Sequence, residues 1–143
     1  MELETLLAER EIYRQLVAFA RAMDRRDWAA IRAIAADDIL AELGTGELRG
    51  RDALIALLRS YLDRCGTTQH LLGNVVIEVS GDTARSRAYV CDMHLNADDA
   101  PQQSFRTLGE YSDQWRKIGG RWRLCHRVKD NRASVGSMQV FGN

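Results

Sequence analysis

Three histidines and one aspartate are the residues of this sequence whose types and spacing could carry acid–base chemistry. His70, His94 and His126 each fall in a segment whose hydropathy alternates, and Asp24 ends the first helical pattern. A histidine that takes up a proton in catalysis works well beside a carboxylate, which holds one ring nitrogen and stabilises the imidazolium. Asp24 and His70 therefore predict a general-base pair, provided that the fold brings them together.

The helical phase of Asp24 favours an inward-facing carboxylate. Asp24 lies eleven residues after Tyr13, which returns it to within about 20° of the same helical face. The ordinary alternative is a solvated acid that ends the helix beside Arg25 and Arg26. His70, taken alone, also fits an ordinary histidine at the start of a strand.

Strand periodicity brings a second histidine to the same place. His94 shares a strand face with Asp92 because faces repeat every two residues. A hairpin that turns at Gly81 and Asp82 then brings His94 and His70 to the same end of the sheet, although a single bulge would slip this register.

His126 is the histidine with two open interpretations. It shares a predicted strand face with Trp122 and Leu124, so it is either a core histidine or a residue that lines a pocket. The three histidines are 24 and 32 residues apart, which is not the short spacing of metal ligands on one helix or strand. We expect neither a metal nor a cofactor.

The order of helical and strand patterns predicts one α+β domain over residues 1–143. Helical spacing covers residues 4–23, a short segment after an N-capping Asp27, and a third segment from Gly50 to about Cys65. Strand patterns cover residues 39–48, 70–79, 83–95, 105–117 and 121–128. This order predicts a curved, mainly antiparallel sheet wrapped by three N-terminal-side helices, a cone around one pocket.

Composition excludes several functional classes. The apolar fraction of 45% and charged fraction of 28% are those of a globular protein. Lys+Arg and Asp+Glu both number 20, so a nucleic-acid partner is not expected. Three cysteines without CxxC spacing predict small buried side chains instead of a disulfide framework. The absence of a signal-like or membrane-length apolar run leads us to expect a cytoplasmic protein with no membrane partner.

Five short motifs resemble those of the SnoaL-like branch of the nuclear transport factor two superfamily. They are MDRRDW at 23–28, GRDAL at 50–54, TQHLLGN at 68–74, GEYSD at 109–113 and GRWRL at 120–124. The resemblance extends over about residues 4–128 and implies a cone whose first helix ends in an acid facing a deep pocket. It leaves the activity open, because this superfamily includes isomerases, dehydratases, cyclases, hydrolases, oxygenase subunits and non-catalytic binders.

Within that branch, the polar residues are most similar to those of the scytalone dehydratases. The similarity covers Asp24, His70 and His94. It implies elimination of water next to a carbonyl, in which His70 removes the α-proton and returns it to the leaving hydroxyl, directly or with help from His94.

Two departures concern the groups that polarise the carbonyl. The tyrosine before the acid in those dehydratases is replaced by Met23, and a second tyrosine aligns near Leu43. We therefore expect Met23 and Leu43 at the substrate, with a hydroxyl supplied instead by Tyr13, Tyr89 or Tyr111.

The lindane dehydrochlorinases are similar in the same acid–histidine pair. The lysine on their first helix would fall at Phe19, and their late arginine near His126. The loss of these cations makes halide elimination a poorer prediction than loss of water.

The sequence thus predicts a dehydratase-like lyase or isomerase that acts on a hydrophobic small-molecule carbonyl compound. The alternative is a non-catalytic ligand-binding domain or the small subunit of a ring-hydroxylating oxygenase. An acid–histidine hydrogen bond at a closed pocket favours the enzyme, and an exposed apolar sheet face favours the subunit. The arginine-bearing face of the last strands is available for self-association, and we expect a homodimer or homotrimer.

Overall fold

Three helices precede a long antiparallel meander, as the order of the sequence patterns predicts. The computed structural model describes residues 2–98 and 100–142. The helices are α1 (Leu3–Arg25), α2 (Trp28–Ile34) and α3 (Arg51–Leu62). The strands are β1 (Ala35–Glu42), β2 (Glu47–Arg49), β3 (Thr68–Ser80), β4 (Thr83–Leu95), β5 (Ser104–Ile118) and β6 (Arg121–Gly136), and a short 3-10 helix (Met138–Phe141) follows.

The strands form one six-stranded sheet in the order β2-β1-β6-β5-β4-β3. Neighbours from β3 to β6 are antiparallel, whereas β1 joins the sheet parallel to β6. Register shifts interrupt the β3–β4 pair once and the β5–β6 pair twice. Because bulges bend strands and increase their twist, these shifts help the sheet to curve around its inner face.

The first helix supplies much of the core. Its buried residues Ile12, Leu16, Phe19 and Met23 recur every three or four positions and belong to one cluster with the sheet and α3. Tyr13 was expected on the inward face with Asp24, but it is 50% exposed. The helical face that Tyr13 and Asp24 share contacts β3 at Asp24 but is exposed to solvent at Tyr13.

The predicted start of the second helix is confirmed. The Asp27 carboxylate accepts a hydrogen bond from the backbone N–H of Ala30 at 3.1 Å, which is an N-cap. The preceding residue, Arg26, ends α1 with a left-handed backbone (φ +57°).

The last strand is longer than its sequence pattern predicts. It continues eight residues past residue 128 and pairs with β5 as far as Gly136. The hydropathy signal stops at 128 because the inward positions beyond it, Lys129 and Asn131, are polar residues that line a cavity. None of the helices in the described part of the chain has the length and apolar character needed to span a membrane.

Candidate active site

A cavity of about 300 Å³ lies between the inner face of the sheet, α1, α3 and the C-terminal 3-10 helix. Its apolar walls include Phe19, Met23, Leu54, Leu58, Phe105 and Phe141. Polar side chains gather where β3, β4, β5 and β6 run side by side. The cavity therefore has an apolar body and a polar end.

Asp24 and His70 meet at this polar end. Asp24 Oδ1 is 2.7 Å from His70 Nδ1, and Asp24 Oδ2 accepts a hydrogen bond from the His70 backbone N–H at 3.1 Å. Because an ionised carboxylate only accepts hydrogen bonds, the proton of neutral His70 is on Nδ1 and its Nε2 carries a free lone pair. The expected hydrogen bond between the two side chains is present, and His70 lines the cavity.

The carboxylate of Asp24 is held in its ionised form. Burial alone would raise its pKa, but the hydrogen bonds from the His70 ring and backbone outweigh burial and lower that pKa. Thr68 adds a third hydrogen bond, from its hydroxyl to Asp24 Oδ1 at 3.0 Å.

Arg26 fixes the direction of the Thr68 hydroxyl. Its Nη1 donates to Thr68 Oγ1 at 2.7 Å, so the Thr68 proton is left to point at Asp24. Other guanidinium N–H groups donate to the carbonyls of Leu62 at 2.9 Å and Gly66 at 2.7 Å. The sequence identifies Arg26 only as a helix-end cation, because its bridging role depends on contacts far along the chain.

His94 lies edge-on to His70, with ring centroids 5.5 Å apart. Its Nδ1 donates to the Phe105 carbonyl at 3.2 Å. Burial lowers the pKa of His94 more than the nearby Asp92 carboxylate raises it, so the ring is neutral near pH 7. With Nδ1 protonated, Nε2 of His94 is an acceptor, which suits binding of a substrate hydroxyl better than donation of a proton.

A third polar group, absent from the predicted site, joins Asp92, Thr107 and Lys129. Asp92 Oδ2 accepts from Lys129 Nζ at 2.5 Å and from the Thr107 hydroxyl at 2.7 Å. Burial would raise the pKa of Asp92, but the Lys129 charge and these hydrogen bonds lower it. Lys129 was missed because it lies beyond the predicted end of the last strand. A usable signal was that it is one of only two lysines in the chain.

The prediction that His126 faces the core or pocket is wrong. Trp115 pairs with Leu124 but Gln114 pairs with His126, so β6 carries one extra residue there. This bulge reverses which residues face inward. His126 therefore lies on the outer face, and Arg127 takes the inward position.

Arg127 forms a buried bidentate ion pair with Asp113, with both N···O distances at 2.9 Å. Its guanidinium stacks over the Tyr111 ring at 3.8 Å and over Phe19 at 4.5 Å. Burial would lower the pKa of Arg127, but the Asp113 charge outweighs it, so Arg127 is charged. Its Nε and Nη2 are paired with Asp113 and its guanidinium lies against two aromatic rings, so Arg127 forms part of the cavity wall.

The predicted substrate-contacting residues divide into two sets. Met23, Leu43 and Tyr111 line the cavity, and burial raises the pKa of Tyr111, which keeps its hydroxyl protonated. Tyr13 and Tyr89 do not fit their predicted position, since they are 50% and 42% exposed. Tyr89 lies on the outer sheet face, beneath the Arg132 guanidinium.

Among the described residues, the cysteines and metal-binding residue types form no further site. Cys65 is buried as expected, whereas Cys91 is exposed on the outer face, which corrects that part of the prediction. Over residues 2–98 and 100–142, no three His, Cys, Asp or Glu side chains are grouped so that they could hold a metal ion.

A curved sheet wrapped by three helices around an inner cavity defines the cone-shaped class of the nuclear transport factor two superfamily. Residues 4–128 match the SnoaL-like domain, and the chain belongs to that family. An uncharacterized protein of Mycobacterium tuberculosis is 31% identical over 121 residues, which are 83% of this chain and 82% of the relative.

Two solved structures share the fold. A proposed scytalone dehydratase from Novosphingobium aromaticivorans has a TM-score of 0.82 at 22% identity, covering 92% of this chain and 88% of that chain. The hexachlorocyclohexane dehydrochlorinase LinA-type3 from Novosphingobium barchaimii has a TM-score of 0.83 at 17% identity, covering 96% and 94%. At these identities the likeness establishes the shared fold alone.

Proposed function

We propose that the protein is a lyase or isomerase that transfers a proton at the carbon next to the carbonyl group of a small hydrophobic compound. The observation that carries the proposal is the 2.7 Å hydrogen bond between Asp24 and His70 beside a largely apolar cavity. The fold shared with a proposed dehydratase and a dehydrochlorinase supports an elimination-type reaction.

The proton transfer begins at Nε2 of neutral His70. Nε2 removes the α-proton, the C–H electron pair forms an enolate, and Asp24 stabilises the resulting imidazolium through Nδ1. In elimination, the enolate electrons form a C=C bond as the β-carbon–oxygen bond breaks, and the imidazolium protonates the departing hydroxyl. Water leaves and His70 is neutral again. In isomerisation, the imidazolium returns its proton to another carbon.

The size and lining of the cavity restrict the substrate. A volume of about 300 Å³ is at the lower end of the range of roughly 300–1,000 Å³ for ligand pockets. Apolar side chains make up most of the exposed wall, and ten of the 22 lining residues are leucine, methionine or phenylalanine. We therefore propose a ketone with a compact hydrocarbon body, such as a one- or two-ring compound.

A second candidate function is that of a non-catalytic small subunit, and one observation favours it. On the outer face of the sheet, Leu71, Cys91 and Leu108 are cross-strand neighbours, and all three are exposed. An apolar row of this kind fits a protein partner. The two candidates differ in whether His70 moves a proton.

The decisive experiment follows hydrogen–deuterium exchange at the α-carbon of hydrophobic ketones by NMR in D2O, a proton transfer that can be measured even when the full reaction is unknown. We expect the protein to accelerate exchange for at least one ketone in a panel of tetralones and their hydroxy derivatives. His70→Ala should reduce the rate by about 10²–10⁴-fold, because that is the usual contribution of a general base. Asp24→Asn should also reduce it strongly, since the imidazolium loses its counter-charge.

His126→Ala is the matched control, because it removes a histidine from the outer face of the same sheet. Its exchange rate should equal that of the wild type. Thermal unfolding of all variants separates loss of the base from loss of the fold. A well-folded His70→Ala protein that retains more than a tenth of the wild-type rate would contradict the proposal and favour the subunit.

A further inference from the structure

Lys129 is a charged group in the cavity that the proton-transfer pair does not use. Its ammonium has three N–H donors. One is directed at Asp92 Oδ2 at 2.5 Å and another at the Thr107 hydroxyl oxygen at 3.1 Å. Within the part of the chain that the structure describes, the third N–H has no protein acceptor, and Lys129 lines the cavity. A donor is thus available to a ligand.

The fold makes room for this lysine at Gly109. A β-carbon on Gly109 would lie 2.9 Å from Lys129 Cε and 3.1 Å from Val90 Cγ1. Lys129 pairs with Tyr111 in the β5–β6 register, so its side chain has to cross β5 to reach Asp92 on β4. The missing side chain at Gly109 opens the path for that crossing.

The ammonium is held next to the base. His70 pairs with Asp92, and Asp92 pairs with Thr107, so these three side chains form one row across the inner face. Directly opposed side chains on neighbouring strands have β-carbons about 4.5–5.5 Å apart. Because the Lys129 ammonium is held at Asp92, it lies about one cross-strand spacing from His70.

We infer that Lys129 binds the carbonyl oxygen of the ligand and stabilises the negative charge that forms there when the α-proton leaves. The inference rests on the proposed function and deepens it, because it assigns the group that polarises the carbonyl. A fixed donor aimed at developing charge in a dry site is an effective form of transition-state stabilisation.

The Asp92 charge also defines the ligand class. Because Asp92 neutralises Lys129 in the resting site, the pair offers a directed N–H without a net positive charge. Such a site favours a neutral ketone or enone over a carboxylate or phosphate, which would meet the nearby Asp24 and Asp92 carboxylates. The preferred ligand is therefore neutral when it binds and anionic only during reaction.

The test uses 1-tetralone labelled with ¹³C at its carbonyl, bound to the intact protein and observed by infrared spectroscopy. A hydrogen bond from an ammonium weakens the C=O bond, so the bound carbonyl should absorb at lower frequency than in a protein site without that donor. Lys129→Met should remove this shift and weaken binding by about tenfold or more, the effect of a lost hydrogen bond to a charged group.

Lys117→Met is the matched control, because Lys117 is the other lysine of the chain and is exposed on the same sheet. It should leave both the shift and the affinity unchanged. Gly109→Ala keeps both lysines but pushes the Lys129 stem aside, and it should reduce the shift. If Lys129→Met folds poorly with Asp92 unpaired, the double variant Lys129→Met/Asp92→Asn removes both charges and should show the same loss of shift.

Several results would overturn the inference. One is a wild-type protein that does not bind the ketone, or that binds it without the frequency shift. Another is a frequency shift that survives in Lys129→Met or is lost only in Tyr111→Phe. The α-exchange experiment is independent. Exchange lost in His70→Ala with the shift intact in Lys129→Met would reject this inference and keep the proposed function. The opposite pair of results would reject the base and keep the lysine.

Discussion

A single carboxylate, Asp24, joins the end of α1 to the start of β3. It accepts hydrogen bonds from the backbone and ring of His70, 46 residues further along the chain, and from Thr68. The two elements that carry the proposed base are therefore fixed relative to each other by the residue that would assist it. Asp24 has a structural effect in addition to its proposed role in proton transfer.

The buried residue His94 gives a prediction about how the stability of the protein depends on pH. Its folded-state pKa is lowered, so below about pH 6.5, the ordinary histidine value, the unfolded chain binds a proton that the folded chain resists. The free energy of unfolding should therefore fall as the pH drops through this value, with a slope of at most about 1.4 kcal/mol per pH unit. The contribution is fully present at higher pH.

The measurement is urea unfolding of the wild type and of His94→Asn across this pH range. The asparagine amide can still donate to the Phe105 carbonyl but does not titrate there, and both proteins share Asp92, His70 and Lys129 around the site. The stability difference between them should shift in favour of the variant on acidification. A difference that is independent of pH would show that burial does not oppose the His94 charge.

The sequence predicted the pair formed by Asp24 and His70 but missed Lys129, and this difference has a physical cause. Asp24 ends a helical pattern that continues unbroken up to it. His70 starts its strand, and although a register shift separates it from the Gly81 turn, the TQHLLGN motif still identified it. His126 and Lys129 lie beyond a bulge that adds one residue to β6. After such an insertion, inward and outward positions exchange, and alternation counted from Trp122 assigns the wrong face.

At the scale of elements, Arg26 holds three of them together. Its guanidinium bonds to the last residue of α3, the following loop and Thr68 at the start of β3, while its own backbone ends α1. Binding this set of acceptors requires a planar guanidinium with several fixed N–H donors, which a lysine ammonium cannot replace.

Arg26→Lys should therefore lower the free energy of unfolding by about 1–3 kcal/mol, since partly buried carbonyls lose their donors. Arg25→Lys is the control, because Arg25 is the exposed neighbour on the same helix. Both substitutions keep a positive charge, and neither introduces a residue with a different backbone preference, so the comparison isolates the lost contacts. Urea midpoints that do not differ between the two variants would refute the bridging role.

Element boundaries were predictable where turn residues and hydropathy agree. The limits of β4, 83–95, match the structure because a Gly81-Asp82 turn precedes strict alternation. The start of β6 at residue 121 was predicted, but its C-terminal end and the 3-10 helix were not, because pairing with β5 and packing at the cavity follow from tertiary structure.

At the scale of the whole molecule, the outer sheet face gives a prediction about assembly. Leu71 and Leu108 are 61% and 54% exposed and lie in one row with Cys91. An exposed apolar row on a rigid sheet is typical of an interface, and self-association through one face gives a closed symmetric oligomer. We expect a dimer or trimer.

Sedimentation of the wild type and Leu108→Lys tests this expectation. The charge should shift the protein to the monomer, because an unpaired ammonium in an apolar interface is costly. Leu6→Lys, on the exposed side of α1, should leave the oligomer intact. A wild type that sediments as a monomer at all concentrations tested would refute self-association through this face.

The position of β3 at the edge of the sheet has a consequence for aggregation. The His70 amide points away from β4, to the side where β3 has no strand partner in the described sheet, and donates to Asp24 Oδ2. Free amides on a long edge strand recruit strands from other chains. Asp24 thus protects this edge in the manner of a gatekeeper residue, and its loss would expose an amide beside the apolar Leu71. We therefore expect an acid at position 24 to limit aggregation through this edge.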